Sequence, residues 1–189
     1  MTYKNKTFRR VSAAAAAICL AFAFAFAEET GADKLGFGTS VTVSAADDFI
    51  TVGTTAKLYY AKDADGNVTV TDVEAGSETS IEIPETIGGS KVTAIGDSSF
   101  SWCNFEKITL PDGVTRIGKT AFSECSFLKS INIPKGVQSI GENAFYGCIA
   151  LDALELPQSI TNIGDGAFYR CLNLKTINIP DNVTKIGDY

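Results

Sequence analysis

Thiols are the reactive groups this chain repeats on a schedule. Cys103, Cys125, Cys148 and Cys171 stand 22, 23 and 23 residues apart, and a fifth cysteine lies at Cys19. Cysteine can serve as nucleophile, disulfide partner or metal ligand, and each use demands particular neighbours. The chain has no histidine, which removes mixed Cys/His zinc sites and every histidine-based triad. Four thiols in one recurring apolar slot are read as small hydrophobes, a core ladder of free thiols. Disulfide pairing between neighbouring copies and thiolate metal binding stay open as alternatives.

The other reactive groups are less ordered. Asp and Glu are dispersed over variable positions, so no carboxylate pair for glycoside hydrolysis can be named. Asp63-Ala64-Asp65-Gly66-Asn67 has the opening spacing of a calcium loop, but its glycine falls at the fourth position instead of the sixth, and a turn is the better reading. Glycines that follow isoleucine at a fixed interval are read as a turn requirement, not a phosphate-cradling loop. No catalytic residue, cofactor site or metal site is assigned, and the chain is expected not to be an enzyme.

What spaces the cysteines is a repeat. From Pro84 the chain writes nearly the same line, Pro-x-x-Val-x-x-Ile-Gly-x-x-Ala-Phe-x-x-Cys-x-x-Leu-x-x-Ile-x-Ile, four times, at 84–110, 111–133, 134–156 and 157–179, with a partial fifth copy at 180–189. Pro111, Pro134, Pro157 and Pro180 are 23 residues apart, whereas Pro84 precedes Pro111 by 27, so the first copy is the atypical one. Phe100, Phe122, Phe145 and Phe168 join the four cysteines in the inward set. A single copy cannot bury enough apolar surface to offset its ordering cost, so copies must stack into a solenoid. Lys107–Leu110, Ser130–Ile133, Ala153–Leu156 and Thr176–Ile179 alternate polar and apolar residues and predict short strands, each followed by a proline or running up to one. Val137–Ile140 predicts a second extended piece, and 142–148 a single helical turn, with Asp97, Asp165 and Asp188 at the position of an N-cap. The expected class is an α/β repeat solenoid with short parallel strands and single helical turns.

The Ala-Phe-x-x-Cys motif with Ile-Pro or Leu-Pro strand endings resembles the BspA-like leucine-rich-repeat family of bacterial cell-surface and secreted proteins, over about residues 81–189. The resemblance implies a curved right-handed leucine-rich-repeat array and, for some members, adhesion to host matrix or to other cells. It carries over no binding residue.

Ahead of the array, residues 49–83 hold two β-prone runs around Asp63–Asn67 and predict an N-terminal β-hairpin cap. Further back, Lys4, Lys6, Arg9 and Arg10 precede an uncharged stretch from Val11 to Ala27 ending in Ala25-Phe26-Ala27, the pattern of a secretory signal peptide over 1–27. A retained anchor and a later cleavage near Ala45 are the alternatives, and 28–48 is read as linker or signal remnant. Removing 1–27 takes away four positive charges and no negative ones, moving the formal charge from −6 to −10. Nucleic-acid and anionic-membrane partners need clustered basic residues, so neither is expected. No membrane span is expected after cleavage, and the localisation read is secreted or cell-surface.

Function then falls to outward, variable positions. Glu106, Lys129, Asp152 and Lys175 alternate in sign down the stack and read as a self-neutralising structural lane. Trp102, Tyr146 and Tyr169, just after the Ala-Phe or Ser-Phe pair, are the candidate partner-binding residues, toward a protein or glycan. The two hypotheses are a secreted recognition module and a passive spacer within a longer surface protein. An apolar C-terminal end around Phe168, Leu174, Ile177 and Ile179 adds an expectation of end-to-end self-association.

Overall fold

The computed structural model describes residues 41–43 and 49–188. The expected signal peptide at 1–27 and most of the 28–48 segment lie outside them. Within that segment Val41–Val43 forms β1, followed by β2 (Phe49–Val52), β3 (Ala56–Lys62) and β4 (Val68–Glu74). β1, β2, β3 and β4 pair antiparallel in succession. The loop between β3 and β4 is closed by Asp63, whose carboxylate accepts hydrogen bonds from the amides of Asp65 (3.0 Å) and Asn67 (2.8 Å) and from Asn67 Nδ2 (3.2 Å). Those bonds, Asn67's foremost, lower the Asp63 pKa. Glu74, the twelfth residue counted from Asp63, takes Lys57 Nζ at 3.1 Å and Tyr59 Oη at 3.2 Å. Both acids are engaged in holding the hairpin.

The array follows: β5 (Ser80–Glu82), β6 (Thr86–Ile87), β7 (Ser90–Ile95), β8 (Lys107–Thr109), β9 (Arg116–Ile117), β10 (Ser130–Ile131), β11 (Ser139–Ile140), β12 (Ala153–Leu154), β13 (Asn162–Ile163), β14 (Thr176–Ile177) and β15 (Lys185–Ile186). The rungs at 111–133, 134–156 and 157–179 contribute two short strands each, and the first contributes three. The Val-x-x-Ile segments build one long sheet, β4-β7-β9-β11-β13-β15, every pair parallel and in register at the Ile column: Ile95, Ile117, Ile140, Ile163, Ile186. Because β4 pairs parallel with β7, the antiparallel strands continue this sheet at its first rung. The segments before each proline build a second face, β5-β8-β10, then β12-β14 as a separate pair.

Between the faces runs the apolar core. Phe100, Phe122 and Phe145 are fully buried and Phe168 partly so, with ring centroids 5.4, 5.2 and 5.6 Å apart down the column. Cys125 and Cys148 beside them have no exposed surface, Cys103 has 6% and Cys171 is half-buried.

No helix occurs among the described residues, so the expected single helical turns are absent and the described chain is a β-solenoid. The physical reason is two left-handed residues per turn. Ser98, Thr120, Asn143 and Gly166 have φ between 49° and 60°, and Trp102, Glu124, Gly147 and Arg170 between 60° and 69°. An α-helix needs φ near −63° throughout. Alternate amides point instead at the next rung: Asn143 N–H to Asp165 O (2.8 Å), Phe145 N–H to Ala167 O (2.8 Å), Gly147 N–H to Tyr169 O (2.9 Å). Stacking offers these carbonyls at every rung, and the loop takes them in place of i→i+4 bonds. Asp97 is accordingly no helix cap, since its Oδ1 accepts from Lys119 N–H of the following rung at 2.9 Å.

The repeat glycines also serve another purpose than the turn expected of them. Gly96, Gly118, Gly141, Gly164 and Gly187 all lie outside the positive-φ set. A Cβ on Gly141 would sit 2.5 Å from Gly118 C and O, and one on Gly164 2.5 Å from Glu142 N. The column is glycine because consecutive rungs touch there backbone to backbone.

Candidate recognition surface

Each rung turns a corner at its cysteine. The residue before it is left-handed, and the residue after it donates back two positions, as in Ile149 N–H to Gly147 O (2.8 Å) and Leu172 N–H to Arg170 O (2.9 Å). This tight bend points the cysteine inward, and its immediate neighbours cannot follow it. Trp102 is 66% exposed, Phe127 57%, Ile149 41% and Leu172 76%. Every full rung thus presents one large apolar side chain at the cysteine corner, in the column before the cysteine for Trp102, one after it for Ile149 and Leu172, two after it for Phe127. Asn173 braces this corner by donating Nδ2 to Ile149 O at 2.7 Å.

The three aromatics singled out from sequence separate in the structure. Trp102 shares the left-handed column with Glu124, Gly147 and Arg170, whereas Tyr146 and Tyr169 lie in the preceding column. The two tyrosine rings are 5.7 Å apart at 40°, with Tyr146 half-buried and Tyr169 49% exposed. Arg170 Nη1 donates to Tyr146 Oη at 3.3 Å. Phe127, Ile149 and Leu172 were missed because they fall on the unspecified places of Cys-x-x-Leu. Their signal is one large apolar residue beside every cysteine, visible only when the column is allowed to shift.

Two open grooves flank the stack. One of about 400 Å³ is lined by Glu142, Asn143, Asp165, Gly166 and Tyr169. The other, of about 420 Å³, opens on the second face among Ala153, Leu154, Glu155, Leu156, Thr176 and Asn178. In the charged lane Lys129 Nζ meets Glu106 Oε2 at 2.9 Å, and on the next face Lys119 Nζ meets Glu142 Oε2 at 2.9 Å. These pairs are exposed and contribute little each.

In the folded array Cys103 and Cys171 are held as thiols. Burial pushes Cys171 up to about 11, and the hydrogen bond with Cys125, together with burial, raises Cys103. Protonated thiols are poor nucleophiles and poor metal ligands. Further down the column the thiol protons go to carbonyls: Cys148 Sγ to Phe122 O and Cys171 Sγ to Phe145 O, both at 3.1 Å. Among the described residues no group of three His, Cys, Asp or Glu is placed to hold a metal ion, and no helix is long and apolar enough to cross a membrane.

Residues 76–189, which form these stacked rungs, match the family model described as "BspA type Leucine rich repeat region (6 copies)". The chain belongs to the BspA-type leucine-rich-repeat family. Among solved structures it is similar to the T. pallidum leucine-rich-repeat protein TpLRR, at 29% identity and a TM-score of 0.66, covering 69% of this chain and 61% of that one. It is also similar to a leucine-rich-repeat protein of Bacteroides ovatus, at 36% identity and a TM-score of 0.64, covering 69% of this chain and 36% of that one. A third neighbour is a leucine-rich cell surface protein of Faecalibacterium prausnitzii, at 30% identity and a TM-score of 0.61, covering 69% and 33%. This BspA-type chain therefore spans less than two thirds of each of these proteins. Among curated proteins none matches it.

Proposed function

We propose that this BspA-type array is a non-enzymatic recognition module of a secreted or cell-surface protein, binding a protein partner through the ridge at its cysteine corners. The observation that carries the reading is the ridge itself: Trp102, Phe127, Ile149 and Leu172, one per rung, with Tyr169 beside it. Scattered exposed apolar residues are ordinary on protein surfaces, but one recurring at the same corner of every full rung supports a contact site. Trp and aromatic side chains dominate binding energy where they fill a partner's pockets. Residues 49–83 act in this reading as the cap that closes the first rung. The Faecalibacterium neighbour's description as a cell surface protein supports the localisation.

Four rungs at about 4.8 Å each give a ridge roughly 20 Å long, and a face of comparable width offers about 400 Å², below the ~800 Å² per partner of a standard interface. Single-site binding is accordingly weak, and useful adhesion comes from many copies on one surface. The test displays the folded chain on beads at high density and measures adhesion to host cells and matrix proteins. Replacing Trp102, Phe127 and Leu172 by serine abolishes adhesion while circular dichroism and the unfolding midpoint stay unchanged. Equal adhesion by both proteins rejects the ridge, and no adhesion by either favours the passive-spacer reading. Self-association through the exposed Ile179 and Ile186 is a separate expectation of this proposal, read by light scattering across a concentration series.

A further inference from the structure

Down the cysteine column each thiol donates to the phenylalanine carbonyl of the rung before it, as in Cys125 Sγ to Phe100 O at 2.9 Å. Cys103 stands in the first rung of the column, where no preceding Phe-x-x-Cys turn supplies that carbonyl. Its sulfur turns to its neighbour instead and lies 3.0 Å from Cys125 Sγ. The two rungs are tied just ahead of this contact, by Phe100 N–H to Ala121 O (2.8 Å) and Trp102 N–H to Ser123 O (2.9 Å). Such pairing holds equivalent residues at about 4.8 Å, inside the Cα range a disulfide accepts, and the sulfurs need to close by only about 1 Å to bond.

We propose that Cys103 and Cys125 form a redox-sensitive pair which closes to an inter-rung disulfide when the chain meets a small-molecule disulfide, stapling the first two full rungs while Cys148 and Cys171 stay reduced. In the first step the Cys103 thiol, the less buried of the two, gives up its proton and attacks the oxidant RSSR. This forms Cys103–S–S–R and releases RSH. The Cys125 thiol then loses its proton, attacks the Cys103 sulfur and expels a second RSH, so two protein thiols are oxidised and one RSSR is reduced to two RSH. The cost is the Cys125 bond to Phe100 O. Because the hydrogen bond with Cys125, together with burial, keeps the Cys103 thiol protonated in the folded array, exchange is fastest while the rungs are still packing.

The full chain is unfolded in reduced form and refolded in a buffer of reduced and oxidised glutathione, then quenched with acid, alkylated and mapped by mass spectrometry. The expected product is a Cys103–Cys125 linked peptide as the dominant species, with Cys148 and Cys171 alkylated. Its unfolding midpoint moves to higher denaturant, and added reductant reverses the shift. Cys148→Ser leaves the link intact, and Cys103→Ser abolishes it without transferring it to Cys125 and Cys148. A statistical mixture of pairings in the wild-type chain, or full alkylation of Cys103 and Cys125 under conditions that oxidise a reference dithiol, overturns the proposal. The wild-type map decides the matter even where a variant fails to fold.

Discussion

Asn132 grips Leu110 of the preceding rung by both sides of its backbone: Oδ1 accepts from Leu110 N–H at 2.7 Å and Nδ2 donates to Leu110 C=O at 2.8 Å. Two rungs on, Asn178 grips Leu156 in the same way, at 2.8 and 2.9 Å. The carboxamide stands in for a ladder strand just where the strands stop. Between these clamps the same column holds Glu155, whose side chain has no N–H to donate, and there the second face divides between β10 and β12.

Glu155→Asn is therefore expected to complete the clamp row, donating to Ile133 C=O and accepting from its N–H, and to stabilise the array by about 0.5–1.5 kcal/mol. Asn132→Ala should lose about 1–2 kcal/mol, since two partly buried bonds go at once. Urea unfolding of the three proteins measures both. A Glu155→Asn protein less stable than the parent would show that the division of the face has another origin.

Glycine substitutions should separate close approach from loop freedom. A Cβ at Gly141 meets Gly118 backbone at 2.5 Å, whereas one at Gly136 has Val114 O at 3.3 Å as its nearest neighbour. Gly141→Ala must push two rungs apart and should cost about 3 kcal/mol or more, at or beyond the usual range for overpacking. Gly136→Ala should fall within about 1 kcal/mol of the parent. Equal midpoints for the two variants would dismiss the steric account of the glycine column.

Acid should release the turn between β2 and β3. The Glu78 carboxylate takes Thr54 N–H (2.8 Å), Thr54 Oγ1 (2.7 Å), Thr55 N–H (2.6 Å) and Thr55 Oγ1 (2.8 Å). These bonds, those from the Thr54 and Thr55 side chains first, lower its pKa from 4.5 to about 2. A carboxylate with a depressed folded pKa stabilises fully above its unfolded value and loses that contribution as pH falls through the folded one. Protection of the Thr54 and Thr55 amides from hydrogen exchange should hold above pH 4.5 and decline toward pH 2. Glu78→Gln should remove both the protection and its pH dependence. Unchanged protection in the variant would assign the turn's order to its neighbours.

Trp102 offers its own readout, being the chain's one tryptophan and 66% exposed. Its emission should be red-shifted and readily quenched by acrylamide in the free protein. Partner binding at the ridge should shift it to the blue and protect it from quencher. Adhesion that leaves Trp102 emission and quenching unchanged would move the contact to another face.

The periodic part of this protein was legible in the chain. Each rung meets the same surroundings as the one before, so a side chain that fits once recurs, and the Phe, Cys, Ile and Gly columns appear as a 23-residue period. The strands before each proline were located from the same alternation, though most run for only two residues.

What depends on the neighbouring rung was not legible. Residues 142–148 suit a helical turn when considered alone, and only the carbonyls of Asp165, Ala167 and Tyr169, delivered by stacking, draw the alternate amides away from it. Asn132 looks like an ordinary polar strand residue until Leu110 lies beside it. Trp102 and Tyr146 sit near each other in the repeat, yet the left-handed bend at Trp102 turns one ring to solvent while Tyr146 packs against Tyr169. The sequence by itself determined the period and the inward columns, because burial selects residue type at each rung separately. The tertiary structure decided the turn conformation, the clamps and the sulfur contact, because each is made between rungs about 22 residues apart and exists only once they are stacked.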